Sequence, residues 1–476
     1  MTDDGTDDPQ HASTPAAEVP PTPNGDRVPV GLDKYQKRRI AWEAAGVVGV
    51  DAGKFHHALV VRPRGGRDSK PLRFPTTREG FETATAFIHR VVLGATPREI
   101  VVGVEFAGVY GYTLAHYLDA RGYRVVSVLP SHTKSFKQIE HGAPLKTDEK
   151  DAVSIVELAA EGRFTTFAFL RPEYAGLRYL VSGYERVTKQ SNAAVTRLRS
   201  TLHVAFPEFE TVFRSLTKQL GALAILREYP SAAALLAAPK RRVVRVLETA
   251  TQRKMGVETY EALTSAAAAT LAVPDASDAL AVEVRRLVEQ IDLYTQQRRD
   301  METAMTAGLA TLPEAAALLS VPGVSAVTAA VFLGSIGDPR AYESGRQVLK
   351  LAGLQLVKDA SGTREGRYRI SRFGKGVLRR HAFLFAMRSV KGSPLGIYHR
   401  TYQRFLRRDK PKMVALIAIA RQAIRLWYVI ARSRQPFDRV RFAGLGAADR
   451  IDEAVWPSGP GEDADAALDA PAPIGS

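Results

Sequence analysis

The sequence has no cysteine. Disulfides, thiolate zinc centres and cysteine nucleophiles are therefore excluded, and any bound metal must be held by oxygen or by histidine. Long apolar runs are missing too. No stretch approaches the roughly 20 apolar residues needed to span a bilayer, and the N-terminus is acidic and Pro-rich, with no apolar leader segment. These absences predict a cytoplasmic protein with no membrane contact. Acids are scarce as well: 50 Asp and Glu stand against 66 Lys and Arg, for a net charge of +16. Many of those acids sit at the ends. Residues 1–27 hold six acids and one base, and residues 449–476 hold seven and one, so the body between is more cationic than the net charge suggests. Such a body attracts polyanions, and nucleic acid is the expected partner.

At 476 residues the chain is long enough for two or three domains. Residues 1–40, rich in Asp, Pro, Thr and Ala, cannot bury enough apolar surface to order themselves and are expected to form a disordered acidic tail. Residues 41–170 alternate strand-like and helix-like patterns. Gly46 to Val50 and His57 to Arg62 read as a hairpin, Arg73 to Pro75 as a third strand, Arg78 to Val92 as a helix, Ile100 to Val104 as a buried strand, Tyr110 to Ala120 as a helix and Arg124 to Leu129 as a strand. That alternation predicts an α/β sheet domain. From 171 to 311 the period changes. Leu177, Leu180, Tyr184, Val187, Ser191, Ala194, Leu198 and Leu202 recur at steps of three and four, and Ala281 to Met305 reads as a second long helix, so an antiparallel or intermolecular coiled coil is expected. Residues 312–435 read as helical and very basic, and 436–476 as a second disordered acidic tail.

Four acids carry the first chemical signal. Asp51 follows the apolar run Val47 to Val50 and Glu105 follows Ile100 to Val104, so both stand where a central strand stops, the place where ligands gather in α/β sheets. Asp148 and Asp151 lie three residues apart at a helix start and share one helix face. Two strand-end acids and an i, i+3 pair converging on one point are stable only around a cation. Oxygen ligands without sulfur favour Mg²⁺, with Mn²⁺ as the alternative. Two such ions would stabilise the attacking and leaving oxygens of a phosphodiester exchange. Taken singly, each acid has a structural explanation: a strand-end turn for Asp51, a solvated loop for Glu105, a helix cap for Asp148.

The second signal is C-terminal. Leu318 to Ala330, with its Pro322-Gly323 turn, resembles a helix-hairpin-helix element, whose turn amides can grip a phosphate. Between Arg364 and Lys412 there are fifteen Lys or Arg against two acids, interleaved with Tyr368, Phe373, Tyr398, Tyr402 and Phe405. Arg364, Arg367, Arg369, Arg372, Lys375, Arg379 and Arg380 are the residues expected to hold a nucleic-acid backbone; the alternative is a solvated basic face.

Three segments, Val48-Gly49-Val50-Asp51-Ala52-Gly53-Lys54, Gly103-Val104-Glu105-Phe106-Ala107-Gly108-Val109-Tyr110 and Lys146-Thr147-Asp148-Glu149-Lys150-Asp151-Ala152, resemble the acidic motifs of the DEDD insertion-sequence transposases. That family is related to the Piv DNA invertase and includes bridge-RNA-guided recombinases. Gly53 stands where the family usually has serine and Ala107 where it usually has threonine, and neither change removes a metal ligand. The stretch from Gly353-Leu354 through Ser361-Gly362 to Gly374 and Leu378-Arg379 resembles the family's C-terminal transposase domain. The resemblance implies a ribonuclease-H/RuvC-like N-terminal domain and a mostly helical C-terminal domain. It further implies that Asp51, Glu105, Asp148 and Asp151 bind the metal and that Ser361 attacks DNA to form a covalent phosphoserine, with Ser371 as the fallback. DNA and a noncoding guide RNA are the implied partners. A homo-oligomer, dimer or tetramer, is implied because the acidic domain of a neighbouring subunit would complete the serine site. Two other readings stay open: a RuvC-like junction nuclease using metal-activated water, and a non-catalytic nucleic-acid binder.

Overall fold

A computed structural model describes residues 28–29, 32–106, 109–141, 148–166, 171–273, 277–358, 368–391 and 398–438. The disorder expected of residues 1–27 and 439–476 falls outside these. The chain divides into two compact units, Met1–Phe169 and Leu170–Ser476.

The first unit runs α1 (Lys34–Glu43), β1 (Gly46–Ala52), β2 (His56–Pro63), β3 (Leu72–Pro75), α2 (Arg78–Val91), β4 (Ile100–Phe106), α3 (Tyr112–Ala120), β5 (Arg124–Val128), α4 (Pro130–His141), α5 (Asp148–Ala160) and β6 (Thr165–Thr166). Its sheet has the order β3-β2-β1-β4-β5-β6. The hairpin strands β1, β2 and β3 pair antiparallel, β1, β4 and β5 are parallel, and β6 returns antiparallel. The result is the mixed α/β sheet expected of a ribonuclease-H-like domain. Because successive side chains point to opposite faces, each central strand feeds two cores. Val48, Val50, Val102 and Val104 pack with Phe81, Ile88, Leu114 and Leu118 of α2 and α3. Val47, Val101 and Val126 pack with Ala152, Ile155, Val156 and Ala159 of α5.

Helix α1 corrects one sequence-based expectation, since its first seven residues fall inside the 1–40 tail. Asp33 and Gln36 form a capping box, and Ala41 and Ala44 are buried in the α5-side core. One short apolar stripe and a good cap are enough to order a helix that composition alone assigns to disorder.

The second unit is helical: α6 (Pro172–Ala205), α7 (Phe209–Val212), α8 (Leu220–Glu228), α9 (Ala232–Leu236), α10 (Lys240–Thr251), α11 (Val257–Ala268), α12 (Ser277–Ala310), α13 (Pro313–Leu319), α14 (Ala326–Ile336), α15 (Gly345–Ala352), the strands β7 (Leu356–Lys358) and β8 (Tyr368–Ile370), then α16 (Gly376–Lys391), α17 (His399–Arg407) and α18 (Lys412–Ser433). Helices α6 and α12 lie antiparallel. Gly308 is against Leu177, Gly183 against Met301, and the Tyr184 hydroxyl donates to Glu302 at 3.1 Å. At the other end Ala194, Leu198 and Leu202 share a core with Val284, Leu287 and Ile291. The apolar seam of α6 is thus covered by its own chain. Residues 209–268 fold around the same core through Phe209, Phe213, Ile225, Leu247 and Leu263.

Helix α18 qualifies the reading of the hydrophobic runs. Among the described residues it is the one helix long and apolar enough to cross a membrane by length and composition, and most of it is buried inside the protein. Its Trp427 packs edge-on against Phe332 and Phe385, as in a core helix.

Candidate metal centre and nucleic-acid interface

Asp51 and Glu105 are direct register partners on the parallel strands β1 and β4. Neighbouring strands lie about 4.8 Å apart, so the two acids emerge side by side. They share a face with Gly49 and Gly103, two residues earlier on each strand, and that face is covered by α5. A β-carbon added at Gly49 would fall within 2.5 Å of the Ala152 carbonyl oxygen, and one at Gly103 within 2.9 Å of the Ala159 β-carbon. Only glycine lets α5 approach this closely.

The helix direction follows from two contacts. Ala152 sits over Gly49, while Glu157, further along α5, ion-pairs with Arg62 at 2.5 Å, and Arg62 is the register partner of Val47. Helix α5 therefore runs against β1, and its N-terminus lies at the strand end that carries Asp51. Asp148, the first residue of α5, is one turn before Ala152; its side chain lies outside the described atoms.

The acids are not all equivalent. One Glu105 carboxylate oxygen is buried without a hydrogen-bond partner. Such an orphan is costly in a folded core and suits a cation that approaches it. The Asp151 carboxylate is ion-paired with Lys137 of α4, and both side chains are largely buried. No group of three or more His, Asp or Glu stands ready to hold a metal among the described residues. The donor set fits a hard divalent ion in chemistry: oxygen ligands, one of them unsatisfied, at the C-terminal ends of central strands.

On the opposite face of the sheet from the acids, His57 of β2, the register partner of Ala52, is enclosed between Phe74 and Phe81, with ring centroids 5.2 and 5.7 Å away. Burial pushes its imidazole down to about 4, with the charge of His56 adding to the effect. It is a neutral core histidine.

In the second unit, Ser361, Arg364 and Arg367 lie outside the described residues. Ser371 follows β8, where its amide donates to the Gln355 carbonyl at 2.8 Å. Arg369 and Arg372 are exposed. The other expected phosphate contacts have partners within the protein. The Lys375 ammonium donates to the Ser335 carbonyl at 2.6 Å, at the C-terminal end of α14, where Arg178 donates to the Gly334 carbonyl at 3.0 Å. Cations suit a helix C-terminus. Burial, with Arg178 nearby, pushes the Lys375 amine down to about 7. The Arg379 guanidinium donates to the carbonyls of Ala352 and Arg372 at 3.1 and 3.2 Å. Arg380 is ion-paired with Glu185 of α6. Exposed cations of this region instead stand at Arg400, Arg407, Arg408, Lys410 and Lys412, on and after α17.

At the helix-hairpin-helix-like segment, α13 and α14 flank a turn in which Gly323 takes a φ of 87°, a left-handed conformation that suits glycine. Ser325 caps α14 by accepting from the Thr328 amide at 3.3 Å, so its hydroxyl serves the helix terminus that a phosphate would use.

Sequence reasoning missed two charged groups. Lys137 carries no motif signal. Glu185 sits inside the apolar stripe of α6, 3.0 Å from His381. Burial alone would raise its carboxyl, but His381 and Arg380 hold it below the usual range. An acid on the buried face of an amphipathic helix was the signal available.

A family model described as a transposase, of the DEDD type of IS110, matches residues 48–207, and one described as the transposase of the IS116/IS110/IS902 family matches residues 315–399. The chain is similar to an uncharacterized 43.6 kDa protein of insertion element IS110 from Streptomyces coelicolor, 27% identical over 85% of this chain and 99% of that protein. It is also similar to an uncharacterized 44.8 kDa protein of insertion element IS116 from Streptomyces clavuligerus, 26% identical over 82% of this chain and 95% of the relative. A third relative is an uncharacterized 42 kDa protein of IS900 from Mycobacterium paratuberculosis, 26% identical over 81% of this chain and 95% of that protein.

Proposed function

Because the chain belongs to the IS116/IS110/IS902 family of transposases, enzymes that act on DNA, we propose that it exchanges DNA strands in a Mg²⁺-dependent reaction through a serine-DNA intermediate. The observation that carries the metal half is the register pairing of Asp51 with Glu105, with an unsatisfied Glu105 oxygen and α5 delivering its N-terminus to the same strand ends. In this reading Asp51, Glu105, Asp148 and Asp151 hold the metal, with Mn²⁺ as a substitute. When bound, the metal neutralises phosphate charge and polarises the scissile phosphodiester.

The serine half rests on the family motif. The Ser361 oxygen forms a bond to phosphorus as the bond to the leaving deoxyribose oxygen breaks, and the serine proton ends on that oxygen. The adduct conserves a phosphodiester, so a second hydroxyl can rejoin the strand without ATP. Exposed Arg369 and Arg372, which follow Ser361 in the sequence, hold the DNA backbone. The acids of one protomer serve the serine of another, which makes the active form a dimer or tetramer, and a noncoding RNA supplies target choice.

The test has two arms. Asp148→Asn should abolish strand cleavage of element-end DNA with Mg²⁺ while the melting profile is kept. Denaturing the wild-type reaction and mapping the DNA-linked peptide by mass spectrometry should find Ser361. Cleavage without any adduct, unchanged in Ser361→Ala, would assign the reaction to water-driven hydrolysis.

A further inference from the structure

Helix α1 carries a surface that the proposed chemistry does not use. Its buried side is formed by Ala41, with Ile40 partly buried, and Gly162 packs against its backbone at Lys37 and Arg38, so the helix is firmly seated. On the opposite side Tyr35 is 78% exposed and Trp42 75% exposed. They are seven residues apart, two helical turns, and so share one face. Arg38 and Arg39 lie between them on that face, with exposed Lys34 at its edge. The one acid of the helix, Glu43, is paired with Arg39 at 2.7 Å, and Asp33 caps the helix start.

One exposed ring is ordinary on a protein surface, but two on one helix face with arginines between them make a specific arrangement. An apolar protein partner would need a contiguous apolar patch, but here each ring is isolated in a basic stripe. The combination of ring faces and cations is what single-stranded nucleic acid requires: bases stack on the aromatics and phosphates run along the arginines. Seven residues of helix rise about 10 Å, close to three stacked nucleotide steps of about 3.4 Å each.

We propose that α1 is a single-strand-binding surface in which Tyr35 and Trp42 each stack on a base and Arg38 and Arg39 hold the phosphates between. The inference rests on the reading of the chain as a nucleic-acid enzyme, but not on its metal site or serine.

The experiment uses the full-length protein and fluorescein-labelled 20-nucleotide oligo(dT), oligo(rU) and a duplex of mixed sequence, followed by anisotropy. Tyr35→Ala and Trp42→Ala should each weaken single-strand binding about fivefold or more, with duplex affinity unchanged, and Trp42→Phe should restore most of the loss. Loss on only one of the two oligonucleotides would identify the strand as DNA or RNA. Wild-type affinity for both in the alanine variants overturns the proposal. So does a change of oligomeric state by sedimentation without a change in oligonucleotide affinity, which would make the face a contact between copies. Glu105→Gln separates the two readings, because it should lose cleavage and keep oligonucleotide binding. Retained cleavage in that variant would remove the metal assignment and leave the α1 surface standing.

Discussion

Lys137 of α4 is ion-paired with Asp151 of α5, and both side chains are largely shielded from water. The ammonium holds a positive charge beside one of the four acids proposed to bind metal. A cation arriving at Asp151 has to displace it.

Lys137→Gln should therefore bind Mg²⁺ severalfold more tightly than wild type, since it removes a like charge at close range. Differential scanning fluorimetry with and without Mg²⁺ reads this directly. The metal-induced rise in Tm should be larger in the variant, and an equal or smaller rise would show that Lys137 does not compete with the metal.

Glu105 offers a separable effect on stability and activity. Its buried oxygen lacks a partner and its neighbour in register is Asp51, so removing the negative charge relieves a cost of about 1 kcal/mol. Without metal, Glu105→Gln should melt about 2–4 °C higher than wild type while strand cleavage disappears. A variant that melts lower and still cleaves would contradict both parts.

Gly49 tests the seating of α5. A β-carbon there would collide with backbone atoms of Ala152 and Val156, which cannot swing aside as a flexible side chain can. Gly49→Ala should displace the N-terminus of α5 from the strand ends, lower stability by about 1–3 kcal/mol, and reduce cleavage by tenfold or more. Wild-type cleavage in Gly49→Ala would mean that the position of α5 is not critical.

Lys375 predicts a pH dependence. Its amine is pushed down to about 7 in the folded protein, below the ordinary lysine value of about 10.4. Between those two values the unfolded chain keeps a proton that the folded chain has released, so this residue makes stability increase as pH rises from about 7 upward. The gain is bounded by about 1.4 kcal/mol per pH unit. Comparing thermal melts of wild type and Lys375→Met from pH 7 to 9 isolates the effect. The wild type should gain relative to the variant over that window, and parallel curves would refute the assignment.

Much of the first unit was legible in the sequence because its signals are local. β-Branched runs of five to seven residues specify β1 and β4, and an acid at the end of each run places Asp51 and Glu105 at the strand ends. Spacing of three puts Asp148 and Asp151 at a helix start. The period of α6 is likewise written in its own residues, from Leu177 to Leu202. Charge counting also found the cationic body, since net charge is a property of composition.

What the tertiary structure decided is which groups meet. That Asp51 and Glu105 stand side by side depends on the pairing of strands about fifty residues apart, and the approach of α5 depends on two glycines whose role is invisible until a helix lies on them. The basic stretch shows the reason most clearly. Lys375, Arg379 and Arg380 read as phosphate contacts, yet Lys375 meets a carbonyl 40 residues away and Arg380 a carboxylate 195 residues away. A cation states its own charge in the sequence, but whether that charge faces solvent or an internal acceptor is set by the acceptor, and folding alone delivers the acceptor.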